Sequence, residues 1–260
     1  MQYTNEGFES FDPRITLWNN SYYMFYTNNY NCLSPFVTCA ITNTPSNMSK
    51  WVTQGVPLDS VPTSSVSAPL FATSENGLKQ HYLFWSNAQD NLGIAIATNP
   101  EYLPYGTSSP SPWNDTGLYL MTPRKDYFDS RWIEPGPPPV RLNSSGDFLF
   151  LYNSGNNASV RFAKSTNVGY VILDGKDPTQ IVQRSLDPLI IPGLAWETSP
   201  ETLTMSGLIP HPKGCPDKNI LRSMLGTNFI SHADCFIGFY GTSKDTGAIL
   251  VVASWVDMNI

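Results

Sequence analysis

A unit of short strands recurs along this chain, and no other feature restricts the fold as strongly. "DPRITLWNNSYYMFYTN" has an apolar run, a polar turn and an aromatic strand. "APLFATSENGLKQHYLFWSN" and "GPPPVRLNSSGDFLFLYNSG" repeat the plan, and "LIPHPKGC", a long insertion and "CFIGFYGTS" form a looser copy. A third strand with small residues follows each: "VTCAITNTP", "LGIAIATNP", "VGYVILDGKDP" and "GAILVVASW". Pro13, Pro69, Pro138 and Pro210 lead the units, about 55–70 residues apart. One such unit is an antiparallel sheet that cannot bury both faces alone, and packing like units around an axis solves this. The expectation is an all-β chain of about four propeller blades forming a single domain over residues 1–260, preferred to a sandwich of meanders because whole units recur. Ala40, Gly93, Ala95, Gly169 and Ala248 suit strands that a neighbour must approach closely.

Composition removes several function classes. Apolar residues make up 41% and charged residues 14%, with a net charge of −6. That balance argues against a nucleic-acid partner. No apolar run approaches the ~20 residues of a spanning helix, so no membrane partner is expected. Gly-rich phosphate loops, H-E-x-x-H, G-x-S-x-G and C-x-x-C spacings are missing, and no cofactor or metal is expected. His81, in "KQHYLFW", reads as a packed strand residue. Five N-x-S/T sites begin at Asn19, Asn47, Asn114, Asn143 and Asn157. Cys32, Cys39, Cys215 and Cys235 suggest two disulfides, with three pairings open. Together these features predict a secretory or extracellular protein. The N-terminal residues do not read as a signal peptide, so further sequence is expected upstream.

What remains for chemistry is carboxylates among aromatics. Pro13 stiffens the chain beside Asp12 and biases Asp12 towards an extended conformation. Glu134 precedes a rigid run, Pro135 to Pro139, and the two acids are read as equivalent positions of the repeat. Glu197, Glu201, Asp234 and Asp245 lie near later units. Carboxylates that converge between Trp and Tyr walls form the usual composition of a sugar site.

The segments "FDPRITLWNNSYYMFYT", "EPGPPPVRLNSSGDFLFLYN", "VGYVILDGKDPTQIVQRSLDPLIIP" and "FIGFYGTSKDTGAILVVA" together resemble glycoside hydrolase family 130, the five-bladed propellers of β-mannoside phosphorylases and related β-mannosidases. The resemblance implies that a blade precedes the D-P-R segment. It also implies that Asp12 is the catalytic acid on an oligosaccharide or polysaccharide substrate. The phosphorylases carry Lys near the position of Glu134, His where this chain has Asn153, and Arg-Asn where it has part of "TSSVSAPLF". A carboxylate in a phosphate cradle opposes phosphate binding. The resemblance therefore implies an inverting β-mannosidase-like hydrolase, with Asp12 as acid and Glu134, or its rival Glu197, as base. Phosphorolysis with a rearranged site, in which Arg131 or Arg141 binds phosphate, is the alternative within enzymes. A non-catalytic glycan-binding propeller is the alternative outside them. Expected sugar contacts are Arg14, Tyr26, Trp132, Asn153, Tyr240 and Asp245.

Overall fold

The computed structural model describes residues 8–30, 34–58, 61, 63–73, 79–87, 90–97, 111, 113–142, 145–156, 166–191, 203–210, 235–243 and 249–257, the last three ranges as backbone. Among them the chain forms four consecutive antiparallel sheets. The first holds β1 (Phe8–Trp18), β2 (Ser21–Tyr30), β3 (Ser34–Thr42) and β4 (Val52–Gly55). The second holds β5 (Ser65–Thr73), β6 (Lys79–Ser86), β7 (Leu92–Ala97) and β8 (Trp113–Met121). The third holds β9 (Trp132–Pro135), β10 (Val140–Arg141), β11 (Phe148–Gly155), β12 (Thr166–Leu173) and β13 (Ile181–Arg184). The fourth holds β14 (Leu203–Pro210), β15 (Cys235–Ser243) and β16 (Ile249–Asp257).

Local chemistry explains the elements. Asn19 and Asn20 both take positive φ, 46° and 60°, which closes the two-residue hairpin between β1 and β2. Prolines 137 to 139 cannot donate to a ladder, so the inner strand of the third sheet splits into β9 and β10, both paired with β11. The expected small residues make room for rings. A Cβ on Gly93 would lie 2.7 Å from the Trp85 ring, and one on Gly169 2.5 Å from that of Tyr152.

The sheets pack in series, first on second and second on third, as propeller blades do, whereas a two-layer sandwich has one such interface. Tyr23, Phe25, Leu83, Trp85 and Trp113 fill the space between the first and second sheets. Tyr82, Phe84, Phe128, Phe150 and Val171 fill that between the second and third. Each fully buried aromatic contributes roughly 2–3 kcal/mol of transfer free energy. The leading strands meet around a common centre: β1 contacts β5 and β14, and β5 contacts β9. His81 is buried between the rings of Trp18 and Phe71, with Nδ1 accepting from the Ala72 amide.

Register corrects two expectations. Tyr26, Trp85, Tyr152 and Tyr240 occupy one position of the second strand in each unit. The residue after each faces Phe11, Ser65, Glu134 and Thr204 respectively. Glu134 is therefore the counterpart of Phe11, one residue before Asp12, and not of Asp12 itself. Asp12 is not extended either; its φ is 55°. The cause is a β-bulge, in which Asp12 and Pro13 together face the single residue Tyr26. β5 and β14 carry bulges at the corresponding height, at Val66 and Ser206. Val66 has φ 28°, an uncommon conformation for a β-branched residue.

Candidate active site

The bulge in β1 and the proline break after β9 bring Asp12, Arg14 and Glu134 together. Strand alternation puts Trp132 and Glu134 on one face of β9, while Ile133 points into the core. Opposite Glu134 in the ladder stands Asn153, fully buried, whose Nδ2 donates to Glu134 Oε1 at 3.1 Å. Arg14 is 1% exposed. Its Nε donates to the Gly136 carbonyl at 2.6 Å and its Nη2 to the Pro135 carbonyl at 3.1 Å, while Nη1 turns back to the Pro13 carbonyl at 3.3 Å. Gly136 lets this segment lie close on β11, since a Cβ there would lie 2.6 Å from the Leu151 carbonyl oxygen.

Electrostatics follow from this packing. Burial is the largest influence on Glu134 and pushes its carboxyl up to about 7. Asp12 adds to that rise, whereas Arg14 and the Asn153 hydrogen bond oppose it. Asp12 is also raised by burial, with Arg14 opposing. Both acids nevertheless keep partial solvent access. A carboxyl that protein desolvates yet solvent reaches lies on the wall of a concavity. Two such groups acting on one another are a common source of acid–base function.

The remaining expected contacts separate. Trp132 is half-buried with its indole against Gly155, beside Glu134. Tyr26 is buried against Ala40 and Trp51, which places it in blade packing rather than on an open wall. Arg14 and Asn153 are enclosed and address the protein's own groups. Tyr240 lies on β15 opposite Met205 and Val252. Glu197 and Asp245 lie outside the described residues, as do Cys32, Cys215 and Ala248; Cys39 is buried in the core between the first two sheets. Arg131 is exposed and its charge acts on Asp90. Arg141 lies over the Phe148 ring, at the end of β11 remote from Asn153. Among the described residues no cluster of His, Cys, Asp and Glu could hold a metal ion.

One cluster is not apparent from sequence. Asp129, fully buried, accepts from Arg124 Nη2 at 2.8 Å, Arg184 Nη2 at 2.7 Å and the Tyr152 hydroxyl at 2.7 Å. Burial, and next the charge of Asp129, push the Tyr152 hydroxyl up to about 12. The cluster anchors the segment before β9 to β11 and β13. Arg124 and Asp129 come from "PRKDYFDSRW" and Tyr152 and Arg184 from later strands, so no single stretch of sequence shows the cluster.

Four blade-like sheets whose leading strands meet around a shared centre define a β-propeller, with Asp12 and Glu134 on its inner strands. Residues 1–201 match the family described as beta-1,4-mannooligosaccharide phosphorylase, and the chain belongs to this family, glycoside hydrolase family 130. Two relatives come from Thermoanaerobacter sp. (strain X514). A 1,2-beta-oligomannan phosphorylase is 26% identical over 72% of this chain and 54% of its own length. A beta-1,2-mannobiose phosphorylase is 25% identical over 77% of this chain and 56% of its own. The chain thus spans about half the length of the curated relatives it matches. Among solved structures, a glycosyl hydrolase from Bacteroides ovatus superposes with a TM-score of 0.67 at 19% identity, covering 95% of this chain and 65% of that one. A second, described with the finding that the family of mannoside phosphorylases contains glycoside hydrolases that target beta-1,2 mannosidic linkages in Candida mannan, gives 0.67 at 19%, covering 95% and 64%. These two likenesses carry the fold.

Proposed function

We propose that this chain supplies the catalytic carboxyls of an enzyme that cleaves β-mannosides with inversion. The observation that carries the reading is the pairing of Asp12 and Glu134 on inner strands of the first and third sheets, joined by Arg14, each desolvated and each within the field of Arg14. Asp12, whose burial helps it hold a proton, acts as the acid on the leaving oxygen. The nucleophile enters from the other side of the sugar. Trp132 offers a ring for the sugar's C–H face. Asn153 acts through Glu134, by orienting its carboxyl, and not on the sugar. Glu197 remains the proposed rival for the second carboxyl, and Tyr240 and Asp245 remain proposed sugar contacts.

The family description and both named relatives favour inorganic phosphate as nucleophile. In that reading Glu134 works protonated, as a hydrogen-bond donor to a phosphate oxygen. Hydrolysis is the second reading, and a specific observation favours it: Arg14 spends its guanidinium on backbone carbonyls, so an anion beside Glu134 meets two carboxyls. In that reading ionised Glu134 activates water. The two readings differ in the protons they need, because Asp12 must keep its own in both. Phosphorolysis needs both protons of the pair and falls as the first is lost; hydrolysis needs one, so it rises over that step and falls as pH passes about 7. Glu134→Gln separates them further. It retains phosphorolysis within about tenfold, since Gln still donates, but removes hydrolysis by about 10³-fold. Equal rates for Glu134→Gln and wild type, with flat pH profiles, would remove Glu134 from both.

Export through a glycosylating secretory pathway is proposed on the exposed side chains of Asn19, Asn47 and Asn114. Peptide mass spectrometry of the native protein checks it. Unmodified asparagine at all three would argue against it.

A further inference from the structure

We infer that Arg14 is a positioning residue, a strut that ties the β1 bulge to the Pro135–Gly136 segment and holds Asp12 and Glu134 in a fixed relation. The inference deepens the proposed function and rests on it only for its kinetic consequence. Arg14 lies two residues after Asp12, and its two strongest bonds go to the carbonyls of the two residues that follow Glu134. Its span is therefore the span between the two acids, bridged across 122 residues of sequence. With 1% exposure, it presents no open face to a ligand.

Two features show that the receiving carbonyls are built for it. The following prolines end β9, so the backbone beyond Pro135 leaves the β9–β11 ladder until Val140 and its carbonyls need a donor. Gly136 is close-packed on Leu151, with its amide donating to the Leu151 carbonyl at 3.1 Å, which fixes the Gly136 peptide from the other side. A guanidinium suits this position because it is planar, permanently charged and able to serve two acceptors from fixed directions. Its charge also reaches both carboxyls. Among the described residues, the groups acting on Glu134 are Asp12 and Arg14 from β1 and neutral Asn153 from β11. Arg14 thus offsets part of the repulsion between the acids without neutralising either by a direct ion pair.

The test compares wild type with Arg14→Gln and Arg14→Lys. The protonation of Glu134 is followed by infrared titration in the carboxyl region, with Glu134→Gln to identify its band. Turnover of β-mannobiosides is followed in parallel. Arg14→Gln moves the Glu134 midpoint up by about one pH unit, because a cation is lost. Arg14→Lys keeps the charge and holds the midpoint within about 0.3 unit. Both lower kcat by about tenfold or more while KM stays within about threefold, because a single ammonium cannot hold both carbonyls. A midpoint unmoved in Arg14→Gln overturns the inference. So does a rise in KM at constant kcat, which would mark a substrate contact. If Arg14→Gln does not fold, the kcat and KM of Arg14→Lys decide. If wild type turns over no β-mannoside, the proposed function fails, while the infrared arm still decides the role of Arg14.

Discussion

Glu134 carries a carboxyl that folding holds against its preference for water. Unfolded, it ionises near 4.5; folded, near 7. Between those values the folded state binds the proton more tightly. Its contribution to stability is therefore greatest below the unfolded value, falls as pH rises through the window and stays low above about 7. The full penalty is about 3 kcal/mol or less. Asp12, also raised, acts in the same direction. Glu134→Gln should accordingly stabilise the protein at pH 8 by about 1–3 kcal/mol and leave it nearly unchanged at pH 4. Urea melts at the two pH values check this, and destabilisation at pH 8 would mean that the ionised carboxylate is well solvated. Asp12 and Glu134 were legible because prolines adjoin them. The bulge was not, since Asp-Pro reads as extended backbone and only pairing with β2 shows two residues facing one. Arg14 read as a sugar contact because sequence cannot show a bond that crosses 122 residues.

At the scale of elements, the segment from Thr122 to Gly136 carries Glu134, and it is secured at both ends. At its start, Asp129 holds Arg124, Arg184 and the Tyr152 hydroxyl. Asp129→Asn leaves two guanidinium groups without their counter-charge, and unfolding free energy should drop by about 3 kcal/mol, measured in denaturant. A loss under about 1 kcal/mol would show that solvent already satisfies the arginines. At its end, Gly136 admits the close approach to Leu151. Gly136→Ala should displace the carbonyls that Arg14 holds and lower kcat about 10–100-fold with little change in KM. Wild-type kinetics in that variant would contradict the role of Arg14 as a strut. The aromatic strands and their small-residue neighbours were readable as pattern. The Asp129 cluster was not, because a buried ion pair and an exposed charged turn share the same composition.

For the whole molecule, the recurring unit revealed the architecture more readily than the site. Repetition dictates that each sheet must find neighbours, and the sheets do bury their faces in series. Repetition does not dictate register, so the leading prolines gave a false equivalence between Asp12 and Glu134 that only the strand pairing corrects. Cooperativity between blades is a property of this scale. Phe150 packs on Phe84 across two sheets with ring centroids 4.9 Å apart. Phe150→Ala should cost about 3–5 kcal/mol and lower Tm as one transition rather than melting the third sheet alone. Calorimetry distinguishes the two.

We propose that Asp12 and Glu134 form a site that cleaves β-mannosides with inversion, and proton NMR of the products formed from β-mannobiosides, with and without phosphate, decides it. The expected product first appears in the α configuration, as mannose 1-phosphate when phosphate is the nucleophile or as mannose when water is. Asp12→Asn should lower that signal by about 10³-fold while the variant still binds the sugar. A β-configured first product, or turnover by Asp12→Asn at the wild-type rate, would contradict the claim.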